Sequence, residues 1–242
     1  MKPNDSLLRA PFRAPVRGFC TTRCGGVGRP PFDSFNLGEA CGDDSADVET
    51  NRARLARLLP ASPHWLRQVH GSRVIHLDDW IENVEADAAW TDRPGQVACV
   101  LIADCLPILV ADREKAGCVA AIHAGWRGLA AGVISNTIAE LPVDPGRLQA
   151  WIGPRICREH YQVGEAVRQA FDGHAAAFES AGHGRWLADL PRIASHQLLD
   201  AGVGRVDDSG ACTAEGSRFF SHRRDKRTGR MAGAIWIEAS AD

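Results

Sequence analysis

The sequence predicts a mixed-sheet α/β or α+β domain, and three observations lead there. Apolar strand-like runs alternate with amphipathic helix-like stretches along the chain, the pattern of stacked sheet and helix layers. Hairpin-like pairs of short runs interrupt that alternation, so a purely parallel sheet is not expected. No repeat of about 20–50 residues divides the chain, and neither does a low-complexity tract or linker. With 242 residues, 45% of them hydrophobic, one domain spanning residues 1–242 is expected.

Residues 16–22 (VRGFCTT) have the composition of a strand. Residues 23–38 (RCGGVGRPPFDSFNLG) are too rich in Gly and Pro for a regular element. Phe32, Phe35 and Leu37 suit a loop that packs, while Arg23, Ser34 and Asn36 offer polar atoms to a ligand or to solvent. Residues 51–59 (NRARLARLL) continue an apolar face begun at Val48, with acids before them and Pro60 behind, which predicts an amphipathic helix. Residues 65–77 (WLRQVHGSRVIHL) predict two strands around a turn at His70-Gly71. His76 then falls within a strand, and His70 projects from the turn. Val97 to Ala103 is a continuous apolar run, the signature of a strand buried on both faces. Pro107 is expected to break or edge the ladder just after Cys105, with extended structure resuming over 108–112. Residues 118–122 (CVAAI) predict a second buried strand capped by His123. A helix is expected from Leu129 to Leu141, a strand over 148–152, a helix over 164–180 with a break at Gly173, and a helix from Pro191 to Asp200 capped by Gly202. Strands over 203–206 and 231–237 complete the reading.

The bulk numbers exclude several functions. The net charge is −2, with no basic block or tail, so nucleic acid is not an expected partner. Residues 1–10 lack a secretory apolar stretch, and no run of about 18 apolar residues is present to cross a bilayer. The chain reads as a cytoplasmic protein. Its eight cysteines read as reduced thiols, given the chain length, the absent signal and the apolar surroundings of Cys99 and Cys118, and with no Cys-x-x-Cys pair zinc ribbons and thioredoxin-type redox chemistry are not expected.

Three residues stand where side chains converge on a cleft: His70 at a turn, and Cys105 and His123 at the ends of apolar runs. A catalytic zinc takes three protein ligands and leaves one position open. A thiolate with two imidazoles suits zinc first and copper as an alternative. The competing reading is that Cys105 is a small buried hydrophobe. The turn at residues 123–128 (HAGWRG) leads from strand into helix, an arrangement that favours anions. Arg127 could offer phosphate or carboxylate a fork or lie out in water.

Residues 21–28 (TTRCGGVG), 35–38 (FNLG), 67–71 (RQVHG), 103–107 (ADCLP), 123–128 (HAGWRG), 152–154 (IGP), 161–164 (YQVG), 219–225 (FFSHRRD) and 228–232 (TGRMA) together resemble one bacterial family. It is variously called laccase-domain proteins, multicopper polyphenol oxidoreductases, peptidoglycan editing factors and purine nucleoside phosphorylases. The resemblance implies two packed mixed β-sheets flanked by helices. It also implies one zinc, with copper possible, on His70, Cys105 and His123, which would serve as catalytic residues. Arg23 and Asn36 match the family's loop positions near the site, and with Arg127 they are the expected substrate and phosphate contacts. Three positions depart from the family pattern: Gly28 in place of Ser, Gln162 in place of Glu, and His222 in place of Tyr.

The activity the resemblance implies is phosphorolysis of purine nucleosides (adenosine, inosine and methylthioadenosine), together with adenosine deamination. In deamination, zinc would acidify a water that attacks purine C6. The expected partners are small purine nucleosides and phosphate, with no membrane. Two other enzyme readings stand beside it. In an amidase that edits peptidoglycan precursors, Cys105 would be the nucleophile and His123 or His70 its base. In a copper-dependent polyphenol oxidase of the laccase kind, many paired histidines would be needed. The nine histidines here contain no His-x-His, which argues against a trinuclear copper site. A non-enzymatic structural metal normally has four closed ligands, one more than these three.

Overall fold

The computed structural model describes residues 6–239, so the outermost ends of the expected 1–242 domain, residues 1–5 and 240–242, lie outside the described residues. The chain begins with β1 (Leu7–Arg9) and β2 (Val16–Thr21), followed by the irregular loop over residues 23–38 and α1 (Ser45–Ala56). The Asp44 carboxylate caps α1 by accepting from the Ala46 N–H at 2.8 Å. Next come β3 (Val74–His76), β4 (Ala88–Thr91), β5 (Val97–Ile102), β6 (Leu106–Asp112) and β7 (Val119–Ala124). Two helices follow, α2 (Trp126–Ala130) and α3 (Val133–Glu140), then β8 (Leu148–Ile152). The remaining elements are β9 (Gln162–Gly164), α4 (Glu165–Gln169), β10 (Phe178–Ser180), β11 (Arg185–Ala188), α5 (Leu190–Asp200), β12 (Arg205–Asp208), α6 (His222–Asp225) and β13 (Met231–Ile237).

The sheets confirm the α+β class and refine its plan. A six-stranded sheet runs β12-β8-β6-β7-β4-β3. It is mixed, because β12 pairs with β8 and β3 with β4 in parallel while the other pairs are antiparallel. The second sheet, β1-β2-β13-β5, is entirely antiparallel and not mixed. A small third sheet, β10-β11-β9, was not anticipated.

Strand period two explains the layering. From β6, Ile108 and Val110 face a core shared with Leu129, Ile134 and Ile193 of the helices. Leu109 and Ala111, on the opposite face, meet Val100, Met231 and Ile235 of the second sheet. The outer face of that sheet (Phe19, Cys99, Trp236) is covered by Leu55 of α1 and by Phe35 and Leu37 of the 23–38 loop. Both central sheets are therefore buried on two sides, which is why their strands read as unbroken apolar runs.

Four local expectations are corrected. Pro107 lies inside a central strand, opposite His123. Its carbonyl accepts from the Gly153 N–H at 2.9 Å, so the ring nitrogen faces the same neighbour just past the end of β8, and the missing N–H affects only the last rung of that ladder. The expected 129–141 helix starts earlier and is split at Gly132, whose φ of +82° only glycine adopts easily. Residues 164–180 form the short α4, a 3₁₀ turn over Asp172–Ala177 and a strand. Residues 65–69 make only one bridge, Arg67 to Glu85. There Gln68 acts in place of a strand: its amide donates to the Leu101 carbonyl at 2.8 Å and accepts from the Leu101 N–H at 2.7 Å on the open edge of β5. Among the described residues no helix is long and apolar enough to cross a membrane.

Candidate metal centre

The loop after β4's neighbour β3 does not carry the site; the segment before it does, together with the chain crossing from β5 to β6 and the end of β7. His70, Cys105 and His123 come together here, each offering a ligand atom within 4.8 Å of the others. His123 is the next-to-last residue of β7 and is buried. Cys105 immediately precedes β6, after Asp104 has turned the chain with a φ of +88°. His70 also sits in the left-handed region, at φ +59°, and its ring stands edge-on to that of His123 with centroids 4.8 Å apart.

Asp87, one residue before β4, organises two of the three. It is fully buried, and a buried carboxylate needs partners. Its oxygens accept from the backbone N–H groups of Val69, His70 and Gly71 at 3.2, 2.9 and 2.7 Å, which sets the His70 turn. Its Oδ1 also stands 2.7 Å from His123 Nδ1. An ionised carboxylate only accepts, so Nδ1 carries the proton and Nε2 is left as the donor atom for a metal. Asp104 does the same for Cys105 at longer range. Its carboxylate accepts from Thr213 Oγ1 and from the Arg223 N–H, both at 2.6 Å, while its carbonyl accepts from the Ile156 N–H at 2.9 Å. Neither aspartate was identified from the sequence. The available signal was an acid at the mouth of an apolar run, Ala86-Asp87-Ala88 and Ala103-Asp104-Cys105, since such an acid must be paired once its neighbours are buried.

The electrostatics match the geometry. Burial alone would raise the Cys105 thiol, but the neighbouring His123 and His70 imidazoles overcome it and bring it down to about 6. Burial alone would lower His123, yet Cys105 and Asp87 hold it up at about 9. Asp87 lies below the usual carboxylate range: burial opposes this, and the bonds from His123 and the Gly71 and Val69 amides prevail. Without a cation the site is thus a thiolate beside an imidazolium, the form that yields its proton on binding a metal.

The donor set fits a metal on a further observation. A Cβ added to Gly125 would stand 2.9 Å from Cys105 Sγ and 3.1 Å from His70 Cδ2. The glycine of the HAGWRG turn is therefore needed for close approach of the backbone to two of the three candidate donors. Gly125→Ala is expected to push these two side chains apart and lower metal affinity at least about tenfold, as loss of ligand orientation does elsewhere. Competition with a chelator checks this, and wild-type affinity in the variant would contradict it.

The three donors border a cavity of about 750 Å³, a size suited to a small ligand. Trp65, Leu101 and Tyr161 contribute apolar wall, and Arg223, Arg230 and His222 contribute polar rim. The Arg223 guanidinium stacks 4.7 Å from the Tyr161 ring and donates to the Gln162 carbonyl at 2.8 Å.

The expected substrate residues are placed differently from the metal donors. Arg23 donates to the Asp33 carbonyl and carboxylate at 2.7 and 2.8 Å and lies over the Phe220 ring. Asn36 is fully buried; its Oδ1 accepts from the Gly38 and Arg230 N–H groups at 2.9 and 2.8 Å. It thereby sets two residues of the cavity wall without lining the wall itself. Arg127 is exposed on α2 with its guanidinium over the Trp126 ring. Of the three departures, His222 lines the cavity. Gln162 is exposed, and Gly28 packs within its loop, where its N–H donates to the Ser34 carbonyl.

Comparison with known proteins agrees with this architecture. A purine nucleoside phosphorylase of Pseudomonas aeruginosa is 44% identical over 234 residues, covering 94% of this chain and 96% of that protein. The purine nucleoside phosphorylase YfiH of Escherichia coli K12 is 45% identical over 229 residues, covering 92% and 94%. The crystal structure of a Neisseria meningitidis protein matches with a TM-score of 0.92 at 40% identity, covering 97% of this chain and 100% of that one. That of YlmD from Geobacillus stearothermophilus matches with a TM-score of 0.90 at 32% identity, covering 99% and 98%. The model of one family, described as multi-copper polyphenol oxidoreductase laccase, matches residues 17–238. The chain belongs to this multi-copper polyphenol oxidoreductase laccase family.

Proposed function

We propose that the protein is a zinc-dependent purine nucleoside phosphorylase that acts on adenosine, inosine and methylthioadenosine and also deaminates adenosine. The observation that carries the reading is a three-donor metal constellation, His70, Cys105 and His123, on the wall of a cavity of nucleoside size. The names of the relatives at 44% and 45% identity support the phosphorylase activity. Zinc, when bound, supplies Lewis acidity at the coordination position that three protein ligands leave open. Thiolate ligation by Cys105 requires a reducing setting, which the cytoplasm provides.

The chain's own residues account for binding and orientation. Trp65 and Tyr161 offer flat apolar surface to a purine. In phosphorolysis a phosphate oxygen bonds to the ribose anomeric carbon as the bond to the purine nitrogen breaks, and the released base takes up a proton. The site must then hold an anion beside a sugar that becomes electron-poor. Arg223 and Arg230 of the cavity rim, with Arg127 at the neighbouring turn, are the proposed cations. Arg23 and Asn36 act by shaping the loop that carries this rim. Asp87 keeps His123 in one tautomer throughout.

A specific observation also favours the amidase reading. Cys105, His123 and Asp87 stand in the order nucleophile, base and orienting carboxylate. Copper-dependent phenol oxidation rests on the family description alone.

The test is chromatography of inosine and adenosine incubated with the zinc-loaded protein, with and without phosphate. Hypoxanthine and adenine should appear only with phosphate, and adenosine should give inosine without it. No turnover of either nucleoside would overturn the proposal in favour of the amidase.

A further inference from the structure

Away from the cavity, a second set of metal-ligating side chains converges. Cys157 and His160 lie in the irregular segment between β8 and β9, and Cys212 and Glu215 lie in the long segment between β12 and α6. The ligand atoms of all four stand within 4.8 Å of one another. Cys157 Sγ is 3.1 Å from His160 Nδ1, 2.6 Å from Cys212 Sγ and 3.7 Å from a Glu215 carboxylate oxygen. His160 Nδ1 is 3.8 Å from Cys212 Sγ and 4.0 Å from Glu215 Oε1.

A 3₁₀ turn over Arg158–His160, with Cys157 as its N-cap, places the first two donors, and a backbone bridge brings up the other two. Arg155 and Cys212 form a parallel bridge, with the Arg155 N–H donating to the Ala211 carbonyl at 3.1 Å and the Thr213 N–H to the Arg155 carbonyl at 2.9 Å. The bridge brings the two segments side by side, and a turn on each then folds the second donor back: Cys-x-x-His at 157 and 160, Cys-x-x-Glu at 212 and 215. The Cys157 N–H donates to Cys212 Sγ at 3.2 Å, a bond that strengthens when the sulfur is a thiolate.

We infer that Cys157, His160, Cys212 and Glu215 form a second, closed zinc site that ties these two segments together. Two sulfurs, one imidazole and one carboxylate are all zinc donors, and four of them complete the tetrahedron of a structural site. Two thiolates select a soft or borderline cation against magnesium or calcium. A disulfide between Cys157 and Cys212 would use the sulfurs but leave the convergence of His160 and Glu215 without a purpose. The site is joined to the cavity at two points. Tyr161, directly after His160, forms part of the cavity wall, and Thr213, directly after Cys212, holds the carboxylate beside Cys105. A zinc here would therefore brace the wall of the reaction site from behind, whatever reaction that site performs.

The experiment is zinc titration of the full chain, stripped by chelator under reducing conditions, with elemental analysis of the product. Wild type should bind two equivalents, the Cys157→Ser/Cys212→Ser double variant one, Cys105→Ala one, and the three substitutions combined none. His160→Ala and Glu215→Gln alter only surface side chains. They should leave the fold intact and weaken the second equivalent about tenfold or more. Cobalt loading should give stronger sulfur-to-metal charge-transfer absorption in Cys105→Ala, which retains the two-thiolate site, than in the Cys157/Cys212 variant, which retains one thiolate. One equivalent in wild type that the Cys157→Ser/Cys212→Ser variant retains would overturn the inference. So would two equivalents retained in the double variant, or recovery of a Cys157–Cys212 disulfide with no second zinc.

Discussion

Asp87→Asn should lower metal affinity about 10- to 100-fold, the usual effect of removing a carboxylate behind a ligating histidine. The substitution keeps the size of the side chain but removes its charge. It also turns an amide NH₂ toward backbone donors: the Val69, His70 and Gly71 N–H groups now share one acceptor where they had two. Each hydrogen bond to a charged group contributes about 1.5–3 kcal/mol. Asp87→Ala, which leaves His123 and these amides without any partner, should cost about 3–5 kcal/mol in the metal-free protein. Denaturant unfolding and chelator competition read the two effects separately. The sign of the pH dependence follows from the depressed Asp87 carboxyl. Its stabilisation is complete above the unfolded value near about 3.9, and it is lost as pH falls through the lower folded value. Wild type should therefore lose stability in this acid range more steeply than Asp87→Asn. Equal affinity and equal acid sensitivity in the two proteins would remove Asp87 from the account.

Cys105→Ala should abolish both binding at the first site and turnover. The same residue gives a pH signature in the metal-free protein. Its thiol titrates at about 6 because the His123 and His70 imidazoles outweigh burial. Alkylation of Cys105 should accordingly rise through about pH 6, whereas an unperturbed thiol follows its thiolate fraction near about 8.5. Zinc should protect it. Peptide mapping after brief treatment with iodoacetamide separates Cys105 from the other thiols. A midpoint near the unperturbed value would contradict the thiolate–imidazolium pair.

The residues that were legible in the sequence are those whose neighbours declare them. The apolar runs of β5 and β7 fixed two strands, and the Cys and His at their ends pointed to a shared cleft. His70 stood out because a turn projects its side chain. The glycines of the HAGWRG turn read as an anion seat at a helix start, and the structure adds a role that the sequence does not show: Gly125 serves close approach to Cys105 and His70, a contact between residues far apart in sequence. Asp87 and Asp104 were missed for the same reason, since a lone acid shows its partners only after folding. Pro107 misled because the rule against proline in a central strand depends on which side its nitrogen faces. The helix expected over 129–141 kept its apolar face across a glycine that in fact breaks it. Arg23 and Asn36 have polar atoms in a Gly- and Pro-rich loop, yet both are engaged by backbone groups of that loop and its neighbours.

The central claim is that His70, Cys105 and His123 hold one metal ion on the cavity wall. Elemental analysis of the purified chain beside its His70→Ala, Cys105→Ala and His123→Ala variants tests it most directly. Each variant should carry one equivalent of zinc less than wild type, with its circular dichroism unchanged. Zinc content equal to wild type in all three folded variants would contradict the claim.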